Sequence, residues 1–247
     1  MEQKKEQEGQ LQELMDIVEK LRAKDGCPWD RVQTHDSLKS CVVEEAAELT
    51  AAIRIYDQTG SCENLREELG DLLLQVAMHS QIAKEEGLFT IEDVIHEVSE
   101  KMIRRHPHVF MDTTVKDNGE IRANWEEIKA KEKEGKDWIP SPLREIPPEF
   151  PALTRAVKIV KKVDKLYESQ PDAEENCDLI SNLLEPLKEA VKEQDQEKTK
   201  QLLAAVLIQL SGLAYHTQIS LEQVLTDQIE DIIERFEPDS GSNIIKS

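Results

Sequence analysis

Two consecutive amphipathic helices constrain what this chain can fold into. Apolar residues recur three and four positions apart in two stretches that a polar turn separates. Successive helical residues are about 100° apart, so Glu45 and Glu48 share a stripe with apolar side chains, and Glu68 and Asp71 share another. The sequence therefore predicts four carboxylates on or beside faces that should be buried.

Buried carboxylates need a partner for their charge, because an unpaired one costs several kcal/mol or becomes protonated. A divalent cation is one such partner, and four oxygen ligands suit Mg²⁺, with Mn²⁺ as a substitute, better than Zn²⁺. The competing interpretation is a solvated face, which is expected for Glu44, Glu63 and Glu67. Two acidic pairs on consecutive helices, each embedded in apolar residues, favour the metal site.

The composition favours an all-α protein, because aromatic residues make up only 4% of the 247 residues and glycine is scarce. A formal net charge of −20 argues against binding to nucleic acid, which needs a basic face. A small anionic substrate remains compatible where a metal and local Lys or Arg reverse the field. No signal-peptide core, apolar span or paired cysteine motif is present, so we expect a cytoplasmic protein without a membrane partner.

The same periodicity predicts helices along most of the chain. They are expected at about 11–24, 37–57, 63–86, 90–106, 151–167, 178–193, 197–217 and 220–236, with a short exposed one around Trp125. Thr90 and Asp93 have the spacing of a capping box. Residues 1–10 and 239–247 are expected to be loose, and Asp117-Asn118-Gly119 to form a turn.

A proline-rich stretch divides the chain into two expected modules. The boundaries are a catalytic module at 1–135, a linker at 136–151 and a second module at 152–247. The sequence of the last two predicted helices aligns with residues 67–106 at a constant shift of 130 residues. The apolar frame survives this shift, but Glu68 falls on Lys198 and Asp71 on Gln201. The second module is therefore expected to be degenerate and to serve as scaffold or in dimerisation.

Several further side chains are candidates for a site. Lys101 and Arg105 are four positions apart on one helix face and could together grip a phosphate chain, whereas Arg104 is equally explained by the helix dipole. Trp29 is interpreted as a plug over the core or as a stacking surface for a base. His79 continues the stripe of Glu68 and is a further candidate for base or lid contacts.

Five motifs resemble the MazG family of nucleoside triphosphate pyrophosphohydrolases. They are Gly26-Cys27-Pro28-Trp29-Asp30, Gln33-Thr34-His35, Glu44-Glu45-Ala46-Ala47-Glu48, Glu67-Glu68-Leu69-Gly70-Asp71-Leu72-Leu73 and Arg104-Arg105-His106-Pro107-His108-Val109-Phe110. The stretch from Trp125 to Lys133 also looks like this family. The resemblance is strong over about 10–135 and weaker over 150–236.

The resemblance implies an all-α homodimer that hydrolyses a nucleoside triphosphate to the monophosphate and pyrophosphate with Mg²⁺. The residues that match the family's metal-binding acids and phosphate contacts are Glu45, Glu48, Glu68 and Asp71, and Lys101 and Arg105. Glu44 or Glu45 would accept the proton of the water that attacks the α-phosphorus, and the sequence does not choose between them. Nucleotide-pool house-cleaning is the expected role.

Three alternatives remain open at this point. The first is a related pyrophosphohydrolase specific for dUTP, dCTP or phosphoribosyl-ATP. The second is a non-catalytic or regulatory helical binding module with a vestigial site. The third is a structural helical protein whose acids are all solvated. The sequence does not indicate the preferred base, or whether the target is a standard or a damaged nucleotide.

Overall fold

The computed structural model describes residues 2–111, 117–132 and 141–237. These residues form helices and turns and contain no strand, which confirms the all-α fold class. The chain divides into two compact units, residues 1–134 and 135–247. The expected linker at 136–151 lies partly outside the described residues, and its remainder consists of turns. The expectation for 239–247 also falls outside them.

The first unit contains seven described helices. They are α1 (Glu2–Arg22), α2 (Pro28–Arg31), α3 (Lys39–Thr59), α4 (Glu63–Glu85), α5 (Ile91–Arg105), α6 (Pro107–Phe110) and α7 (Asn118–Lys131). The expected start of the first helix near residue 11 is wrong, because α1 already begins at Glu2. The expected turn at Asp117 is also wrong. Its carboxylate instead accepts hydrogen bonds from the N–H groups of Gly119 and Glu120 and so caps α7.

Helix α4 is the centre of the first unit. It packs against α1, α3 and α5, and Val18, Leu38 and Met78 lie in the shared apolar core. Helices α3 and α4 form a hairpin, and Gly60, with φ of 74°, ends α3 in the left-handed conformation that glycine adopts without strain. The hairpin holds the acidic faces of both helices side by side.

Arg22 joins three parts of the first unit through one buried guanidinium. Its Nη2 atom lies 2.8 Å from Glu85 Oε2 on α4, and its Nη1 donates to the carbonyls of Asp30 and Gln33 at 2.7 and 3.1 Å. The arginine holds the pKa of the Glu85 carboxyl below its usual range. The segment that carries Trp29 is thereby fixed between α1 and α4.

The second unit contains four described helices, α8 (Ala152–Tyr167), α9 (Ala173–Lys192), α10 (Gln196–Thr217) and α11 (Leu221–Phe236). Helix α10 packs against α8 and α9, and α11 packs against α8. Helices α4 and α5 correspond to α10 and α11 at the predicted shift of 130. Thr90 and Ser220, which this shift superposes, both cap the helix that follows them. The capping box at Thr90 and Asp93 is confirmed.

Helices α9 and α10 approach each other closely at one point. Asn176 is 1% exposed, and its amide donates to the carbonyls of Pro171 and Asp172 at 2.9 and 2.6 Å. Gly212 of α10 faces this amide, and a Cβ atom there would clash with Asn176 Oδ1. The hydrogen-bonded asparagine and the glycine therefore set the distance between the two helices.

The part of the chain that the structure describes contains no single helix long and apolar enough to cross a membrane. Helices α10 and α11 reach that length and hydropathy only when they are taken together, and the pair is bent by 108° at its break.

Candidate metal and phosphate site

Three of the four predicted acids meet at the α3–α4 hairpin. Glu45 and Glu48 lie one turn apart on α3, and Glu68 comes from α4. One carboxylate oxygen from each residue lies within 4.8 Å of the other two. Carboxylate oxygens gathered from two helices are a ligand set for a hard divalent cation, so this cluster could hold a metal ion.

The oxygens around Glu68 have unused acceptor capacity. Asn64 donates to Glu68 Oε1 at 2.8 Å, but Glu68 Oε2 is buried and has no hydrogen-bond partner. Gln75 donates to Glu45 Oε1 at 3.5 Å, and its own buried Oε1 atom also lacks a partner. Buried acceptors of this kind carry a desolvation cost that a cation or water removes. The donor set therefore fits a metal that prefers oxygen ligands.

The charges of the cluster also favour a cation at this place. The pKa of the Glu48 carboxyl is raised, first by the negative charge of Glu68 and then by burial and by the charge of Glu45. Glu44 and Asp71 contribute in the same direction. A cation beside these groups would reverse the shift, because it stabilises the ionised form of each carboxyl.

Asp71 and Glu44 lie outside the group of three. Asp71 is half-buried on α4 and is near enough to influence the Glu48 carboxyl. Glu44 is exposed on α3, as are Glu63 and Glu67, which confirms the expectation of solvation for these three glutamates. The structure thus leaves Asp71 beside the cluster and Glu44 at its solvent side.

The expected burial of the acidic faces is wrong at several positions. Glu48 is exposed, and Tyr56 on the α3 stripe and Val76 beside the α4 stripe, which were also expected to be buried, are 44% and 40% exposed. The reason lies in the packing, since α3 packs mainly on α4, whereas α1 and α5 cover the other sides of α4. The acid cluster therefore opens towards solvent in this chain.

The basic residues near the end of α5 differ in their ion-pair partners. Arg105 binds Glu132 through Nη2 and Nε at 2.6 and 3.0 Å, and its guanidinium lies 5.2 Å from the centre of the Trp125 ring. Arg104 binds the same carboxylate at 2.9 Å. Lys101 is half-buried and makes no ion pair with any residue that the structure describes. A phosphate at this end of α5 would meet Lys101 directly but would compete with Glu132 for Arg105.

Trp29 and His79 occupy unlike surroundings. Trp29 lies in the single turn of α2 and is 61% exposed, so its interpretation as a plug over the core is wrong, and its ring is open to a ligand. The rings of His79 and His35 are parallel to within 5°, and their Nδ1 atoms lie 2.7 Å apart. Burial and the His35 ring lower the pKa of His79.

Glu132 and His35 contact the candidate residues Arg105 and His79, but sequence reasoning gave neither a role. Both lie in stretches that resemble the MazG family, and this was the only available signal. Glu132 lies 27 residues from Arg105, and His35 lies 44 residues from His79. Spacing on one helix cannot show such contacts, because the partners come from different elements.

The fold and the site together define a class, that of all-α proteins with a candidate divalent-cation site on a helical hairpin. Comparison with known proteins gives the family. The MazG nucleotide pyrophosphohydrolase domain matches residues 33–110. Over 226 residues the chain is 41% identical to the nucleoside triphosphate pyrophosphohydrolase/pyrophosphatase MazG of Thermotoga maritima, covering 92% of this chain and 84% of that protein. The chain belongs to the MazG family.

Two further relatives extend the comparison. The nucleoside triphosphate pyrophosphohydrolase of Escherichia coli K12 is 35% identical over 242 residues, covering 92% of this chain and 86% of that protein. The uncharacterized protein YabN of Bacillus subtilis is 50% identical over 145 residues, which are 59% of this chain and 28% of that protein. The similarity to the first of these therefore includes most of both units.

Proposed function

We propose that this protein hydrolyses nucleoside triphosphates to the monophosphate and pyrophosphate in a Mg²⁺-dependent reaction, with Mn²⁺ as a possible substitute. The observation that carries the proposal is the gathering of Glu45, Glu48 and Glu68 within the segment that matches the family. Relatives that share most of this chain bear the name nucleoside triphosphate pyrophosphohydrolase, which supports the same substrate class.

Glu45, Glu48 and Glu68 would hold the cation, and Asp71 lies near enough to join them. Such a cation, when bound, supplies positive charge to the triphosphate and lowers the pKa of a bound water. The chain itself supplies the proton acceptor. Glu44 and Glu45 are the two candidates, and Glu44 has the more open position because it is exposed. Water attack at the α-phosphorus would then release pyrophosphate.

Lys101 and Arg105 would neutralise the leaving pyrophosphate. Lys101 makes no ion pair among the described residues and is ready to bind an anion. Arg105 would have to exchange Glu132 Oε2, which accepts from both its Nε and its Nη2, for phosphate oxygens, which a planar guanidinium can bind bidentately. Trp29 is exposed and could stack on a base. His79 is engaged with His35, so a role for it in base contacts requires that pair to open.

The second unit would act as a scaffold and in homodimerisation. Helix α11 carries exposed Ile229, Ile232 and Phe236, which are 45%, 46% and 78% exposed in the single chain. Apolar faces of this kind are usually covered by association.

We assign catalysis to 1–135 and support to 152–247, joined by the linker at 136–151. A cytoplasmic role in nucleotide-pool house-cleaning, without nucleic-acid or membrane partners, agrees with the acidic composition.

Product analysis tests the reaction. The protein is incubated with a mixture of the common NTPs and dNTPs, with and without Mg²⁺, and the products are separated by anion exchange. Monophosphates and pyrophosphate, formed only with metal, are expected, and the same separation ranks the bases. Diphosphates and orthophosphate would mean attack at the γ-phosphorus and would contradict the proposal. A parallel panel of dUTP, dCTP and phosphoribosyl-ATP separates the related specificities.

Two variants test the assignment of the acids. Asp71→Asn is expected to lower turnover by about ten- to a hundredfold, since residues that support a metal site contribute on this scale. Glu67→Gln is the matched control, because Glu67 also lies on α4 but is exposed. A near-normal rate for Asp71→Asn, or an equal loss in both variants, would remove Asp71 from the site.

A further inference from the structure

The second unit contains a cavity that the proposed hydrolysis does not use. It has a volume of about 430 Å³ and lies beside α8, between the turns that precede this helix and the side of α10. Phe150, Ile159, Val163 and Ile208 make most of its wall apolar, and Arg155 is the charged residue in it. This volume is in the range of sites that bind small organic molecules.

Arg155 is an unusual residue to find at such a place. Its Nε atom is buried and has no hydrogen-bond partner, and its guanidinium makes no ion pair with any residue within the described ranges. Burying a charged donor without an acceptor is costly. The chain has 51 acidic residues and a net charge of −20, so acceptors are abundant elsewhere. Arg155 as a whole is half-buried, so the cost falls on the one buried donor atom, Nε.

Two acids that contact α8 are bound by other donors. Glu222 of α11 reaches the first turn of α8, but its carboxylate accepts from the N–H of Thr154 at 3.2 Å. Glu145 binds Lys162 at 3.1 Å. These pairings leave the Arg155 guanidinium available to an anion from outside the chain.

The charge of α8 favours such an anion. This helix carries five basic residues and one acid, a balance opposite to that of the whole chain; they are Arg155, Lys158, Lys161, Lys162 and Lys165, and Asp164. Lys158 lies 5.0 Å from the centre of the Phe150 ring at the wall of the cavity. A positive helix beside an apolar cavity is complementary to a molecule with an anionic group and an apolar body.

We propose that this cavity binds a small organic anion whose carboxylate or phosphate group pairs with Arg155 and whose apolar or aromatic body contacts Phe150, Ile159 and Ile208. The proposal is independent of the hydrolytic reaction, because all of these residues lie in the second unit. Arg155 would be the specificity-determining contact, since a guanidinium binds carboxylate and phosphate bidentately.

The test uses the full chain without divalent cations and two anionic probes, benzoate and phenyl phosphate, with benzyl alcohol as the neutral control. Calorimetry measures affinity, and methyl NMR signals of Ile159 and Ile208 locate the binding. Both signals are expected to shift with at least one anion and not with the alcohol. The two anions together decide whether the site prefers carboxylate or phosphate.

Variants give the site its strongest test. Arg155→Gln is expected to weaken anion binding about ten- to a hundredfold, the loss of a charge-assisted bidentate contact. Lys161→Gln removes the same charge from an exposed position of the same helix and is expected to change binding by about twofold or less, because exposed charges are screened. Equal losses of anion affinity in both variants would show that the anion is attracted only by the general positive charge of α8. This result would overturn the proposal.

Stability supplies a second readout. Without ligand, Arg155→Met is expected to raise the Tm, because it removes a buried donor that lacks a partner. A lower Tm would mean that the guanidinium already has a partner, and would overturn the proposal. The absence of binding at millimolar anion, or equal binding of anion and alcohol, would also overturn the proposal. A change in solution mass of Arg155→Gln would assign the cavity to a second copy of the chain instead.

Discussion

Replacing Glu68 with glutamine separates the two effects that a metal site should have on stability. The substitution removes one of three charges at the α3–α4 hairpin but keeps an amide oxygen that can accept from Asn64. Without metal, the variant should be more stable than the parent chain, because repulsion within the cluster is relieved. With metal, the order should reverse, because the variant has lost a ligand.

The distances set the expected size of the first effect. Carboxylate oxygens of Glu45 and Glu68 lie within 4.8 Å, and two unit charges at that distance repel by about 0.9 kcal/mol at the dielectric constant of water. At an effective dielectric constant of 20 the value is about 3.5 kcal/mol. Because the hairpin opens to solvent, we expect a gain in the metal-free free energy of unfolding of about 1 kcal/mol.

The second effect follows from linkage between binding and folding. A cation present at a hundred times its Kd stabilises the folded state by about 2.7 kcal/mol. For a chain of this length, that corresponds to a rise in Tm of about 5–10 °C. Glu68→Gln should lose most of this rise, whereas the exposed neighbour Glu67→Gln should keep it.

Thermal and urea unfolding of the parent chain and both variants, in EDTA and in a series of Mg²⁺ and Mn²⁺ concentrations, measure these effects. The reasoning would be refuted if Glu68→Gln were less stable than the parent chain in EDTA, or if it retained the full metal-dependent rise in Tm. An equal response of Glu67→Gln and Glu68→Gln would also refute it, since only one of these residues belongs to the cluster.

Three further predictions concern the two units. Gly212→Ala should destabilise the second unit by about 1–3 kcal/mol, because the new Cβ clashes with the hydrogen-bonded amide of Asn176, and urea unfolding measures the loss. Arg22→Met should cost about 2 kcal/mol in the same assay, a value reduced because the Glu85 side chain is 39% exposed. The pKa of His79 is lowered by folding, so its contribution to stability is present above the unfolded pKa of about 6.5 and is lost as the pH falls below it. The free energy of unfolding, measured from pH 8 to about pH 5, should therefore fall less steeply in His79→Gln than in the parent chain.

Each of these expectations has a contrary outcome. Unchanged stability of Gly212→Ala would mean that Asn176 moves without cost and that the interhelical distance is set elsewhere. A loss below about 0.5 kcal/mol for Arg22→Met, within the range of an ordinary surface substitution, would show that water replaces its contacts. Parallel pH profiles for His79→Gln and the parent chain would remove the His35 pair as a source of pH dependence.

Most helices could be predicted because their signals are local. Periodicity located α3, α4, α8, α10 and α11 closely, and the hydroxyl of Thr90 marked the start of α5. The approach of Glu45, Glu48 and Glu68 also followed from local rules, since residues three apart share a face and a three-residue turn pairs the two helices. The metal ligation itself, and the roles of Asp71, Lys101 and Arg105, remain predictions.

What could not be predicted depends on contacts between elements. Nothing in the spacing of Arg105 indicates that Glu132 of another segment will bind it. Burial was overestimated for Glu48 and Tyr56. An apolar stripe indicates that a helix face can pack against another element, but it does not identify that element. The exposure of Trp29 was not predicted for the same reason, since the sequence does not show whether a large aromatic residue between two helices is buried.

The shared carboxylate of Glu132 links the end of α7 to the end of α5. It holds Arg104 and Arg105 together, so the last turn of α7 is tied to the last turn of α5 by a contact that any competing anion can replace. An anion that takes Arg105 would leave Arg104 as the remaining contact of α5 with Glu132 and so loosen this end of α7. We therefore expect hydrogen exchange of the α7 amides to increase when an anion binds Arg105 on α5.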